Sequence, residues 1–302
     1  MSRRTVVITG LGVVSPIASE LNRFWDGIVS GQSGIDKVKC MPDIDQYPVT
    51  IGGEIRDLDV AKFLDAKEAR KMDPFSVWGF AASVMAVEDA KLDITAIDLH
   101  RVGVIASSGI GGMQFMQEQC IRAIEGGPRR ISPQLIPQMI TNILSGYVAI
   151  KYGFKGPNFC VTSACASGTH SIGEAMRIIQ YGDADVMIAG GSEASVAMLG
   201  VGGFAALRAT SRRNDDPKGA SRPFDLERDG FVMSEGAGMI VLEEKEHAIK
   251  RGARIYCELA GYGRTCDAYH ITAPDSAADE AARGMKLAIE DAGLTAEDVD
   301  YV

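Results

Sequence analysis

Short runs rich in Val and Ile alternate along the chain with longer Ala-rich segments whose apolar residues recur at helical spacing. This is the pattern of an α/β fold with a largely parallel sheet. The short runs predict strands over Thr5 to Thr9, Val102 to Ala106, Asn158 to Thr162, Val186 to Ala189 and Met239 to Leu242. The longer segments predict helices over about Glu20 to Val29, Phe75 to Ala90, Pro133 to Tyr152, Ser167 to Tyr181 and Ala277 to Ala292.

The pattern also repeats. The first strand ends in Gly10-Leu11-Gly12, and the apolar run from Tyr256 ends in Gly261-Tyr262-Gly263, 251 residues later. Val87-Glu88-Asp89-Ala90-Lys91-Leu92 is echoed by Ile289-Glu290-Asp291-Ala292-Gly293-Leu294, 202 residues later. A duplication with these offsets places 49 additional residues between strand and helix in the first copy. The first copy continues through Val102-Gly103-Val104-Ile105 into a Gly109-Ile110-Gly111-Gly112 loop. The second reaches Tyr301-Val302 as its second strand begins, which predicts either a fragment or a partner covering apolar edges and faces.

Composition narrows the class. The 302 residues, 46% hydrophobic, suffice for a sizeable core, and a net charge of -9 argues against a general nucleic-acid binder. No stretch approaches the ~20 apolar residues of a membrane span, and MSRRTVVITG lacks a signal-peptide pattern. The six cysteines, at positions 40, 120, 160, 165, 257 and 266, show no CxxC pairing. That spacing predicts no metal site, reduced thiols and a cytoplasmic protein. Against the acidic background, Lys67, Arg70 and Lys71, then Arg129 and Arg130, then Arg208, Arg212 and Arg213 form basic groups. Each alone reads as solvated surface, but together they suggest a basic patch for an acidic partner.

The segment NFCVTSACASGTH, Asn158 to His170, holds the most chemistry. It runs from an apolar strand through Cys165-Ala166-Ser167-Gly168 into a helix. Cys165 therefore falls at a helix N-terminus, where unpaired N–H groups stabilise a thiolate and cradle an oxyanion. A buried structural cysteine is the alternative at this point. His170, five residues along the helix, turns away from the Cys165 face and reads as structural. The sequence has no dinucleotide fingerprint, P-loop, GxSxG elbow or HExxH helix.

TSACASGTH, followed by GDADVMIAGGSE, LGVGGF, SRPFDLERDGFVMSEGAG and DAYHIT, resembles the β-ketoacyl-acyl carrier protein synthases, most closely the type II elongating enzymes of bacterial fatty-acid synthesis. The resemblance runs the length of the chain. It implies the thiolase-like layered α-β-α-β-α sandwich and a homodimer. The first half, residues 1–254, would be complete with insertions, and residues 255–302 would begin the second half. Cys165 matches the nucleophile that holds the acyl chain as a thioester. Ile110, Ala164, Gly200 and Phe204 match acyl-pocket positions, and Leu135 one that reaches a partner subunit's pocket. Thr272 matches a residue beside the phosphopantetheine channel. Lys67, Arg70, Lys71, Arg129, Arg130 and Arg208 match the docking patch for acyl carrier protein. The resemblance implies no cofactor, because the substrates carry phosphopantetheine. It also implies that the family's catalytic histidines belong to sequence beyond Val302, so that condensation by these 302 residues alone is not expected. Two alternatives stand beside elongation: a ketosynthase half that only binds carrier protein or acyl chains, and a thiolase or priming ketosynthase acting on coenzyme A thioesters.

Overall fold

Strand β1 (Val6–Val14) lies beside β5 (Gly236–Glu244), and the computed structural model, which describes residues 3–302, builds one six-stranded sheet around this pair. The other strands are β2 (Val102–Ser107), β3 (Asn158–Phe159), β4 (Val186–Glu193) and β6 (Cys257–Glu258), in the order β3-β2-β4-β5-β1-β6. The pairs β2–β3 and β2–β4 are parallel, whereas β4–β5, β5–β1 and β1–β6 are antiparallel. The sheet is thus mixed, not largely parallel. The helix between β4 and β5, α7 (Met198–Ala206), is no crossover helix, because β5 starts at the end of the sheet where β4 finishes, with Glu193 opposite Gly236.

Helices cover both faces. On one, α2 (Pro74–Asp89) is capped by Asp73 and buries eleven of its sixteen residues, packing with α5 (Ile143–Tyr152) on Val102, Val104, Val186, Ile188 and Val241. On the other, α6 (Ser167–Tyr181) sets Ala175, Met176 and Ile179 on Ile8, Ile105, Met187 and Leu242. A strand buried on both faces reads as a continuous apolar run, which is how β2 and β4 appear in the sequence. Outside these layers, α1 (Leu21–Val29) precedes a two-stranded ribbon, Asp36–Lys37 against Ile51–Gly52.

The helix expected over Pro133 to Tyr152 is two helices, α4 (Leu135–Met139) and α5. The break has a tertiary cause. The Met139 carbonyl accepts the N–H of Gly112, at the N-terminus of α3 (Met113–Gly126), at 3.1 Å instead of continuing a helical ladder. The strand expected over Asn158 to Thr162 stops at Phe159, because Val161 N–H leaves the sheet to bond Ser107 Oγ at 3.0 Å.

The repeated pattern is visible in the packing. A Cβ on Gly10 or Gly12 would fall 2.2 Å from Ala86 O or 1.9 Å from Ala82 O of α2. On Gly261 or Gly263 it would fall 2.0 Å from Ala288 O or 1.9 Å from Gly284 O of α8 (Asp279–Asp291). Leu11 N–H donates to Asp89 Oδ2 at 2.9 Å, and Tyr262 N–H donates to Asp291 Oδ2 at 3.0 Å. The arginines cross over: Arg3 bonds Asp291 at 2.6 Å, and Arg254, 251 residues later, bonds Asp89 at 2.5 Å. Both offsets read from the sequence are therefore carried by equivalent contacts. The second copy is more open, since no residue of α8 is fully buried and Ile271 and Met285 are exposed.

The close approach at Gly12 leads to a paired prediction. Gly12→Ala pushes strand and helix apart and lowers unfolding free energy by roughly 1–3 kcal/mol. Gly203→Ala, within α7 where a Cβ meets nothing within 4 Å, changes it by less than about 1 kcal/mol in the stabilising direction. Urea denaturation of the two variants measures the difference.

Candidate active site

After β3 the chain enters a tight turn, Ala164–Ala166, that leads into α6. Ala164 has φ of 51°, a left-handed conformation that costs a residue with a Cβ on the order of 1–2 kcal/mol. Side chains hold it there. Ser167 Oγ donates to Ala164 O at 2.7 Å and accepts Ser163 N–H at 2.9 Å, closing the turn from inside. Ser171 Oγ lies 2.8 Å from Ser167 O and 2.5 Å from Ser107 Oγ, joining the helix to the end of β2. A bare contact completes the seat: a Cβ on Gly191 would stand 3.1 Å from the Gly168 Cα, so α6 rests directly on the end of β4.

The turn presents Cys165 as a free, exposed thiol at the N-terminus of a fifteen-residue helix. Among the described residues, nothing accepts its own N–H. The buried structural alternative is excluded by that exposure. Thiol and N–H together can form a thioester and hold the oxyanion that precedes it. His170 sits apart, its Nδ1 2.6 Å from Ser163 Oγ and its ring edge-on to Tyr262, beside a separate hollow with Glu174 and Arg264.

Cys165 opens on a cavity of about 520 Å³. Ile110, Ala164, Phe204, Phe231 and Met233 supply its apolar wall, with Gly109 and Gly238 as bare backbone. Phe204 and Phe231 pack edge to face, their ring centroids 5.2 Å apart. Of the expected pocket positions, Ile110, Ala164 and Phe204 therefore meet at one cavity with Cys165. Gly200 does not line it: a Cβ there would lie 2.0 Å from Ser195 O, so Gly200 seats α7 against that backbone. Leu135, half-buried in α4, is outside the cavity too. Thr272 is exposed, its N–H bonded to His270 Nδ1 at 3.1 Å, and is likewise not in the lining.

Lys67, Arg70, Lys71, Arg129, Arg130 and Arg208 are all exposed, and among the described residues none makes a salt bridge. The segment carrying Lys67, Arg70 and Lys71 is tied to α4 and α5 through Gln138 Nε2 to Arg70 O (3.4 Å) and Tyr147 OH to Lys71 O (3.1 Å). Arg129 and Arg130 occupy the turn between α3 and α4, and Arg208 closes α7. The charges are thus available to an external acidic partner.

Three carboxylates, Asp73 and Glu235 buried and Glu193 half-buried, were not singled out by the motifs. Glu193, at the end of β4, lines the cavity and accepts Ser108 Oγ–H (3.1 Å) and Gly109 N–H (2.9 Å). Asp73 accepts Phe75 N–H (3.1 Å) and Phe115 N–H (2.8 Å). Glu235 accepts Ile55 N–H and Gln114 Nε2–H, each at 3.2 Å. Burial raises all three: Asp73 to about 6, Glu235 to about 7, and Glu193 upward against the hydrogen bonds from Ser108 and Gly109. The available signal was positional, an acid closing or preceding an apolar run, as in GGSE and SEGAG.

An exposed thiol on a strained turn at a helix N-terminus, facing an apolar cavity, is the arrangement that thiol-dependent acyl transfer requires. The comparisons narrow that class. Residues 3–248 match the family model for the β-ketoacyl synthase N-terminal domain, and residues 256–302 match that for the β-ketoacyl synthase C-terminal domain. The chain is 47% identical over all 302 residues to the 3-oxoacyl-[acyl-carrier-protein] synthase 2 of Synechocystis sp., spanning 72% of that protein. It is also 47% identical over its whole length to the enzyme of the same name from Coxiella burnetii, spanning 73% of it. Among solved structures, a β-ketoacyl synthase from Burkholderia phymatum superposes with a TM-score of 0.88 at 34% identity, over 100% of this chain and 73% of the other. A type II polyketide ketosynthase in complex with its acyl-carrier protein gives 0.88 at 36% identity, over 100% and 72%. The chain belongs to the β-ketoacyl synthase family and has its thiolase-like α/β sandwich fold.

The raised carboxylates fix the sign of one pH effect. Asp73 and Glu235 bind protons more tightly folded than unfolded, so their contribution to stability is greatest at low pH and is lost as pH rises through about 6 and about 7. Between about pH 5 and 8 the melting temperature is expected to fall. Glu235→Gln flattens that dependence and stabilises the protein at the alkaline end by on the order of 2 kcal/mol. Calorimetry across the range tests this, and an unchanged slope in the variant would contradict it.

Proposed function

We propose that this chain carries the acyl-accepting machinery of a fatty-acid elongating β-ketoacyl synthase, an acyltransferase that condenses malonyl-acyl carrier protein with an acyl chain held on Cys165. The observation that carries the reading is Cys165 itself, exposed at the N-terminus of α6 and opening on an apolar cavity of about 520 Å³. That volume falls within the about 300–1,000 Å³ of small-molecule sites. The relatives' shared name and the chain's free basic residues favour a carrier-protein substrate over a coenzyme A thioester.

In the first step the Cys165 thiolate attacks the acyl thioester carbonyl. An S–C bond forms, the oxyanion lies near the Cys165 N–H, and the carrier's pantetheine thiolate leaves, taking the proton that Cys165 released. The acyl chain then lies along Ile110, Phe204 and Phe231. In the second step malonyl-acyl carrier protein loses CO2, its carbanion forms a C–C bond to the acyl carbon, and the Cys165 thiolate leaves. Thr272 belongs to this reading beside the pantetheine channel, Gly200 behind the cavity wall and Leu135 towards a second subunit.

Acyl carrier protein is strongly acidic, and Lys67, Arg70, Lys71, Arg129, Arg130 and Arg208 would receive it. A homodimer belongs to the same proposal. Strand β3 is an open sheet edge and its own Phe159 is exposed, the kind of edge that pairs with another chain. The residues divide into a first half over 1–254 and the start of a second from 255. No helix among the described residues is long and apolar enough to cross a membrane. The six cysteines are free, in keeping with work in the cytoplasm. The nucleophile is a side chain and the acyl group arrives on its carrier, so the reading requires no metal or cofactor.

Two experiments test it. Incubation with long-chain acyl-carrier protein adds the acyl mass to the Cys165 peptide, and Cys165→Ala abolishes the adduct; acylation that survives the substitution would sink the assignment. Charge reversal at Lys67 and Arg70 raises the apparent KM for the carrier-borne substrate roughly tenfold, while small thioester mimics react as before. An equal loss on both substrates would argue against docking at this patch.

A further inference from the structure

Glu193, Glu235 and Asp73 come from three separate parts of the chain, yet each spends a hydrogen bond on the same short segment. Glu193 takes Ser108 Oγ–H and Gly109 N–H, Glu235 takes the Gln114 side chain, and Asp73 takes Phe115 N–H. Ionised, three such neighbours repel one another, and burying them is unfavourable unless the hydrogen bonds compensate. The segment they hold, Ser108 to Phe115, carries Ile110, the apolar residue at the cavity wall beside Cys165.

The segment is gripped on its other side as well. Ser108 Oγ accepts the N–H of Gly111 at 2.7 Å. A Cβ on Gly111 or Gly112 would fall 2.5 Å from Met139 O or 2.0 Å from Gln138 O, so this stretch lies flat on the α4 backbone. Gly109 is wedged between the nucleophile turn and the first carboxylate: a Cβ there would be 3.1 Å from both Ala164 O and Glu193 Oε2. Gly109, the neighbour of Ile110, is thus held between the Cys165 turn and Glu193.

We propose that Glu193, supported by Asp73 and Glu235, is a specificity-determining positioning residue: it clamps the Ser108–Gly109 backbone so that Ile110 limits the length of acyl chain the cavity accepts. The inference rests on the acyl-transfer reading above. It assigns no chemistry to Glu193, which touches the wall and not the reacting atoms.

The test uses the full chain and acyl-carrier proteins bearing short, medium and long acyl groups, with acylation rates at Cys165 read by mass. In Glu193→Gln the amide must turn its NH2 towards one of the two donors, Ser108 or Gly109. The ratio of long-chain to short-chain rates then rises roughly tenfold, the effect of losing a buried hydrogen bond to a charged acceptor. Alkylation of Cys165 by iodoacetamide stays at the wild-type rate, because the Ser167 turn is untouched. Ser108→Ala removes the donor and leaves the carboxylate, and it shifts the ratio in the same direction. The double variant moves it no further than Ser108→Ala alone, because the hydroxyl donor that the carboxylate held is already gone. Should Glu193→Gln fail to fold, Glu193→Asp, which draws the carboxylate back from both donors and leaves the Ser108–Gly111 bond in place, is read in the same way. An unchanged length profile in a variant that is still acylated would overturn the clamp and leave the acyl-transfer reading standing. A wild-type chain that accepts no acyl group at any length would overturn both.

Discussion

The site depends on one backbone constraint, the left-handed turn at Ala164. A helix whose N-terminus is to face a cavity must begin abruptly at the end of a strand, and the chain achieves that reversal with a residue whose Cβ opposes it. The carbonyl that the turn would otherwise leave unpaired is bonded by Ser167 Oγ, and the incoming Ser163 N–H is taken by the same oxygen. With the turn closed by its own helix, the Cys165 side chain and N–H are left facing outwards. The contact of Gly191 with Gly168 belongs to the same requirement, since a Cβ at Gly191 would stand 3.1 Å from the Gly168 Cα and press on α6.

Around that turn the polar groups at the ends of the central strands divide into two kinds. Uncharged serines, Ser107, Ser145, Ser167 and Ser171, stitch strands to helices in the dry interior, where a neutral hydroxyl is cheap to bury. The carboxylates Asp73, Glu193 and Glu235 hold the segment Ser108 to Phe115, and burial raises all three towards neutrality. By contrast, Glu243, fully buried at the far end of β5, is held below its usual range despite burial by the hydrogen bonds of Arg251 and His247. The paired acid anchors the fold. The acids without a cationic partner accept from backbone and side-chain donors around one loop, and Glu193 does so at the cavity wall.

Charge on the outside follows a similar division. A body of net charge -9 keeps most of its arginines in ion pairs, as at Arg101 with Asp185 and Arg177 with Asp291. The six cations of the proposed docking patch are exposed and unpaired among the described residues, so their field extends into solvent and can steer an acidic partner. Net charge alone would have pointed away from such a partner.

Much of this was legible in the order of residues. Apolar runs set β2 and β4, helical spacing set α6, and the two glycine pairs with their aspartates announced a repeat that the contacts at Ala82, Ala86, Gly284 and Ala288 reproduce. The motif around Cys165 placed its thiol at a helix N-terminus, because a strand running into small residues and then a helix fixes where that terminus falls. Tertiary structure alone decided the rest. It reversed β5 against β4, split the helix at Met139 so that its carbonyl meets Gly112, and ended β3 where Val161 turns to Ser107. It also gathered Asp73, Glu193 and Glu235, up to 162 residues apart, around one loop. Periodicity along a chain records which face of each element is apolar. It does not record which distant backbone donors those elements bring within 3 Å of a carboxylate.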